Sequence, residues 1–238
     1  MLYTNINTLN DDVLLIIFNF YRLDKYRVKW NDGLAWRKFT HTCRRWRHLI
    51  YSSAFHLDMH IQCTSGTTPI VVTLDHLSFL PLGIVYRKST PRISKQKLEA
   101  YRAILLYDRI CSIDLHCSPL AMDKFFGLMD KPFPILKTLC LLSTADDDVA
   151  NPVLPKTFLA PNLLSIELLH VKLPKRLSLL SSTVSLVTLH LAGIRASGHL
   201  FLRILVSRLR SLPRLEKLSV EFCGNIRRPG TEGEALGE

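Results

Sequence analysis

Nowhere in this 238-residue sequence do about 18 apolar residues run together, so no membrane-crossing helix is expected. The opening, MLYTNINTLNDDV, lacks a basic stretch followed by an apolar run. That argues against a secretory leader and for an intracellular chain, cytoplasmic or nuclear. None of the six cysteines (Cys43, Cys63, Cys111, Cys117, Cys140, Cys223) forms a C-x-x-C pair, and none has zinc-type spacing. Buried reduced thiols are the plain reading. The phosphate-loop, dinucleotide, nucleophile-elbow and H-E-x-x-H signatures are all missing, which removes the commonest enzyme fingerprints. His56 and His60 stand four apart but flank an expected strand, so they would not share a helical face. Acidic residues are in the minority, and the net charge is +11. Much of that excess sits between Arg22 and His48, where nine Lys/Arg face two Asp, a local +7. A surplus of this kind asks for an acidic partner.

A repeat is present instead. The frame L-x-x-L-x-L, with Ile or Val allowed, fits ICSIDL (110–115), LKTLCL (136–141), LLSIEL (163–168), LVTLHL (186–191) and LEKLSV (215–220). Their last residues are separated by 26, 27, 23 and 29 positions, within the roughly 20–29 residues of leucine-rich repeats. Between hexamers, Ser118 and Pro119 open a helical pattern with Met122, Phe125, Phe126 and Met129 on one face. A second pattern places Leu202, Leu205, Val206 and Leu209 together and stops at Pro213. The stretches 143–162 and 171–185 read as loops or short turns. Residues 95–108 read as a helix lined by Leu98, Tyr101, Leu105 and Asp108, while 56–63 and 70–74 read as strands and 87–95 as a loop. After Cys223 the chain has little to bury and is expected to fray.

Each hexamer is thus expected to be a short strand of a curved parallel sheet, with its leucines inward and the residues between them on the concave side. The outward row reads Asp114, Cys140, Glu167, His190 and Ser219. It is flanked by Ser112, Thr138, Ser165, Thr188 and Lys217 on one side and by His116, Leu142, Leu169, Ala192 and Glu221 on the other. Backbone spacing of about 4.8 Å between strands would keep a nucleophile from its base and spread metal ligands apart. Neither catalysis nor a metal or other cofactor is expected. The expected target-binding residues are Asp114, His116, Cys140, Leu142, Glu167, Leu169, His190, Ser219 and Glu221.

The first fifty residues read differently. LNDDVLLIIFNFY (9–21) is a helix with Asn10 or Asp11 at its cap, apolar on nearly every side and so in need of more than one covering surface. GLAWRKFTHTCRRWRHLIY (33–51) reads as a second helical stretch whose Trp36, Phe39, Cys43, Trp46 and Ile50 form one apolar stripe, with Lys38, Arg44, Arg45, Arg47 and His48 largely outside it.

LNDDVLLIIF resembles the opening of the F-box, Leu-Pro-x-Glu-Leu-Leu-x-x-Ile-Phe, matching at Leu9, Asp12 (for Glu), Val13 (for Leu), Leu14, Ile17 and Phe18. Cys43, Arg44, Arg45, Trp46 and Arg47 are similar to the Cys-Arg-Arg-Trp-Arg core of the F-box variety abundant in fungi. Asn10 replaces the family proline and Thr42 the family valine, both where the family meets its adaptor. The resemblance implies an α/β chain. A small three-helix F-box (1–55) would be followed by linking strands and a helix (56–108), a leucine-rich-repeat solenoid (109–223) and a flexible tail (224–238). It implies a non-catalytic substrate receptor that docks a Skp-family adaptor, and through it a cullin–RING ubiquitin ligase, while the repeats hold a target protein. Leu9, Asn10, Val13, Leu14, Ile17, Phe18, Cys43, Trp46 and Leu49 would form or support the docking surface. Two alternatives stand beside it: a basic nucleic-acid-binding protein using the arginine cluster, and a repeat scaffold that the N-terminal helices merely cap. Nucleic acid is the less favoured, because the tryptophans belong to the apolar stripe and not to an exposed stacking platform.

Overall fold

The computed structural model describes residues 6–24, 37–53, 61–62, 80–88, 95–144, 151–174, 178–195 and 199–223. The expected strand at 70–74, most of that at 56–63, Trp36 and the tail 224–238 lie outside the described residues.

Helix α1 (Asp11–Asp24) starts where the Asn10 Oδ1 accepts the Val13 N–H at 2.8 Å, with Asp11 and Asp12 in the first turn. A short polar acceptor at the cap and negative charge in the first turn both satisfy the exposed N–H groups there. The single helix expected over 33–51 is two helices, α2 (Arg37–Thr40) and α3 (Arg44–Ser52). Cys43 separates them. Its backbone is extended (φ −156°, ψ 169°), and its sulfur accepts the Trp46 N–H at 3.5 Å as the cap of α3. Arg47 closes the end of α2 by donating from Nε to the Thr40 carbonyl at 2.8 Å. The apolar stripe survives the break: the Phe18 ring lies 5.0 Å from Phe39 and 4.9 Å from Trp46.

The rest is α/β, built on one open, all-parallel sheet whose strands follow sequence order. The strands are β1 (Ile61–Gln62), β2 (Leu82–Lys88), β3 (Ile110–Cys117), β4 (Thr138–Ser143), β5 (Ser165–Leu169), β6 (Thr188–Arg195) and β7 (Lys217–Cys223). In β3, β4 and β5 buried and half-exposed residues alternate, so one face holds Ile113, Leu115, Leu139, Leu141, Ile166 and Leu168 in the core. Four strands are entered in the same way. The N–H groups of Lys137, Leu164, Val187 and Glu216 donate to the carbonyls of Cys111, Lys137, Leu164 and Val187, each one strand back. Just before them, Pro134, Pro161 and Pro213 take corresponding places in tight turns that end on Leu136, Leu163 and Leu215. Proline's fixed φ suits the second position of such a turn.

The connecting segments cover the apolar face. Helix α4 is Lys95–Ile104 and continues as a 3-10 turn at Tyr107–Arg109. It buries Ala100, Ala103 and Ile104, while Leu98 and Leu105 are exposed. Of the expected stripe only Tyr101 packs against the core, and the closest contacts are made by the small alanines. Helix α5 (Pro119–Phe126) buries Met122, Phe125 and Phe126 as its spacing requires, although Ser118 makes no side-chain cap bond. Between β5 and β6 lies a one-turn helix, α6 (Ser178–Ser182), within a stretch read as loops or short turns. Helix α7 (His199–Leu209) buries Leu205, but Val206 stays exposed at 50%. Buried side chains from Leu14 to Leu212 belong to one hydrophobic cluster.

Candidate functional site

On the sheet face away from this core, the period-2 reading holds in register. Asp114 pairs with Cys140, Cys140 with Glu167, Glu167 with His190, and His190 with Ser219. The next row joins His116, Leu142, Leu169 and Ala192. Leu142 and Leu169 are half-buried and Ser219 and Glu221 are exposed, whereas Ala192 is buried and has no partner on β7 in the register. The cause is an irregularity between Leu191 and Ile194, where Gly193 takes φ 69° and the register shifts.

Strand β2 extends both rows, with Val85 opposite Asp114 and Arg87 opposite His116. Arg87 is a site residue that sequence reading missed, since part of β2 was taken for loop. The alternation of Leu82, Ile84 and Tyr86, all buried, is the signal that finds it.

Side chains of the face form a chain of contacts across six strands, β2 to β7. Arg87 Nη2 lies 2.5 Å from Asp114 Oδ2, and His116 Nε2 lies 3.1 Å from Asp114 Oδ1. Cys140 Sγ is 3.7 Å from His116 Nε2 and 3.7 Å from Glu167 Oε2. His190 then stands between Glu167 and Glu221, 3.6 Å from each. Burial, foremost, pushes the Cys140 thiol up to about 12, and the charges of Asp114 and Glu167 and the hydrogen bond to Glu167 add to this, while Arg87 opposes it. A thiol so held is protonated at neutral pH and is not a ready nucleophile. The hydrogen bond to Asp114 raises the Arg87 guanidinium above its ordinary value.

One expectation fails here. The ladder was expected to keep metal-type ligands apart, yet donor atoms of Asp114, His116 and Cys140 all lie within 4.8 Å of one another. Backbone spacing was the wrong measure. Residues two apart on one strand and their neighbour across the ladder share a face, and side chains this long lean together.

The helical unit divides the expected docking residues into two sets. Leu14, Phe18, Trp46 and Leu49 are buried and form its core, with Leu9 and Cys43 half-buried against it. Asn10, Val13 and Ile17 face outward. Ile16 and Phe20, which were not singled out, are also exposed, Phe20 at 68%. Val13, Ile16, Ile17 and Phe20 recur at i, i+3, i+4 and i+7, so α1 carries an open apolar stripe beside the one it buries. The arginines are less available than their charge suggests. Arg45 donates to Asp11 Oδ1 at 2.7 and 3.0 Å and to the Leu9 carbonyl at 2.6 Å, and Arg47 is committed to Thr40. Among the described residues no helix is long and apolar enough to cross a membrane. Comparison of the chain with family models, curated proteins and solved structures finds no match.

Proposed function

We propose that this chain is a non-catalytic recruiting subunit. The helical unit, read as F-box-like, docks a Skp-family adaptor and thereby a cullin–RING ubiquitin ligase. The repeats, read as a leucine-rich-repeat solenoid, hold a target protein against the face that carries Asp114, His116, Cys140, Glu167 and His190. The observation that carries this reading is the exposed apolar stripe Val13–Ile16–Ile17–Phe20 on α1. Exposed apolar residues at helical spacing mark an interaction surface. Nucleic acid is the weaker partner for the basic region, because Arg45 and Arg47 are spent on holding α1, α2 and α3 together.

Co-precipitation of the full chain with a purified Skp-family adaptor is the test. Ile17→Asp and Phe20→Asp place a charge in the stripe without touching the core, and each is expected to reduce binding at least tenfold. Leu14→Asp is unsuitable, because Leu14 is fully buried and its replacement would unfold the unit. Undiminished binding by both surface variants, or no binding by the parent chain, would end the docking assignment.

A further inference from the structure

The convergence of Asp114, His116 and Cys140 has a use that the recruiting role does not require. From the geometry we infer that Asp114, His116 and Cys140 form a binding site for a borderline-soft divalent cation, Zn²⁺ by preference, on the open face of the sheet.

The donor set is one carboxylate, one imidazole and one thiol, a mixture that zinc accepts and that hard cations such as Mg²⁺ do not favour. Bonds of about 2.0–2.3 Å set the donors of a tetrahedral zinc roughly 3.3–3.6 Å apart. Here the His116 Nε2 to Asp114 Oδ1 separation is 3.1 Å and the Cys140 Sγ to His116 Nε2 separation is 3.7 Å. These two edges lie within a few tenths of an ångström of that range, and the third, from Asp114 to Cys140, is no longer than 4.8 Å and is closed by side-chain rotation.

Asp114 Oδ1 is buried and has no hydrogen-bond partner among the described residues, although His116 Nε2 is close by. With His116 in its Nδ1–H tautomer, Nε2 and Oδ1 both present lone pairs to the space between them, and a shared cation would satisfy both. A buried carboxylate oxygen left unsatisfied is otherwise costly. Arg87 holds the other oxygen, Oδ2, and so turns Oδ1 toward the site, the part that outer partners play around bound metals. Binding would release the Cys140 thiol proton to solvent, and the resulting thiolate and the Asp114 carboxylate together balance the dication. Three protein donors leave one coordination position for a further donor. Glu167 flanks the thiol at 3.7 Å, on the side of the next strand. The metal would join β3 to β4 and present its fourth position to an incoming oxygen, nitrogen or sulfur ligand.

Nine histidines and six cysteines make stray metal binding easy, so the test must locate the ion. Zn²⁺ is titrated into the full chain by calorimetry, and Co²⁺ is followed by absorbance as its spectroscopic stand-in. One equivalent is expected, with tetrahedral cobalt bands and a thiolate-to-cobalt charge-transfer band. Cys140→Ala should abolish the charge-transfer band and His116→Gln should weaken Zn²⁺ binding at least tenfold, while His48→Gln, exposed on α3, should change neither. A thiolate band that survives Cys140→Ala, or no binding of Zn²⁺ by the parent chain, overturns the inference. Should His116→Gln fail to fold, as judged by circular dichroism, the Cys140→Ala spectrum decides alone.

Discussion

Gly193 and His170 show how much a single backbone conformation can decide. Gly193 sits at φ 69° and His170 at φ 55°, the only described non-glycine residue with positive φ. A Cβ on Gly193 would lie 2.3 Å from His170 Nδ1, so both torsion and space exclude a side chain. Gly193→Ala is therefore expected to destabilise the fold by roughly 1–3 kcal/mol, read from a denaturant midpoint. A midpoint equal to that of the parent would show that the turn can relax. Tyr101 makes a different case. Its ring packs 4.5 Å from Phe125, and burial raises its hydroxyl from 10.0 to about 12. The folded chain therefore holds this proton more tightly than the unfolded chain. The stability it confers is complete below about pH 10 and disappears as pH rises through about 12. An absorbance titration of the parent against Tyr101→Phe should place the missing tyrosinate step near 12, and a step near 10 would contradict the burial argument. The sequence placed Tyr101 on the lining of its helix but not its shielding, and gave no sign of the positive φ at His170, since both arise from neighbours distant in the chain.

At the scale of elements, period-2 leucines made β3 to β6 readable, because one buried face imposes alternation, whereas in β7 the expected inward Leu218 is 48% exposed. The break between α2 and α3 was hidden for a physical reason. The apolar spacing from Phe39 to Ile50 continues across it, and cysteine is an uncommon cap. Strand β2 was missed although its buried residues alternate, since its end, Arg87 and Lys88, was read as the start of the loop 87–95. The helical unit relies on Arg45, whose forked contacts tie the start of α3 to Leu9, just before α1, and to Asp11, its first residue. Arg45→Ala should lower the unit's stability by about 1–2 kcal/mol, since a charged hydrogen bond to a carbonyl is lost with the ion pair. Arg45→Lys should recover little of it, because a single ammonium cannot make the fork. Thermal melts of the two variants would check both statements, and full recovery by lysine would show that charge alone matters.

Across the whole molecule, the α/β class and the parallel sheet were visible in five hexamers at near-constant spacing, and the row Asp114–Cys140–Glu167–His190–Ser219 followed from register. The meeting of Asp114, His116 and Cys140 was not visible, because it depends on how side chains lean and not on where backbones lie. The division of the docking residues into core and surface was likewise beyond periodicity, since α1 is apolar on both sides. The strictly sequential strand order carries one more consequence. Each strand hydrogen-bonds to the one made just before it, so its template has already left the ribosome when it emerges. Translation, at about 5–20 residues per second, supplies a new strand every few seconds. The described sheet can then assemble from its N-terminal side as it is synthesised, and none of its seven strands need wait for a partner still to be translated.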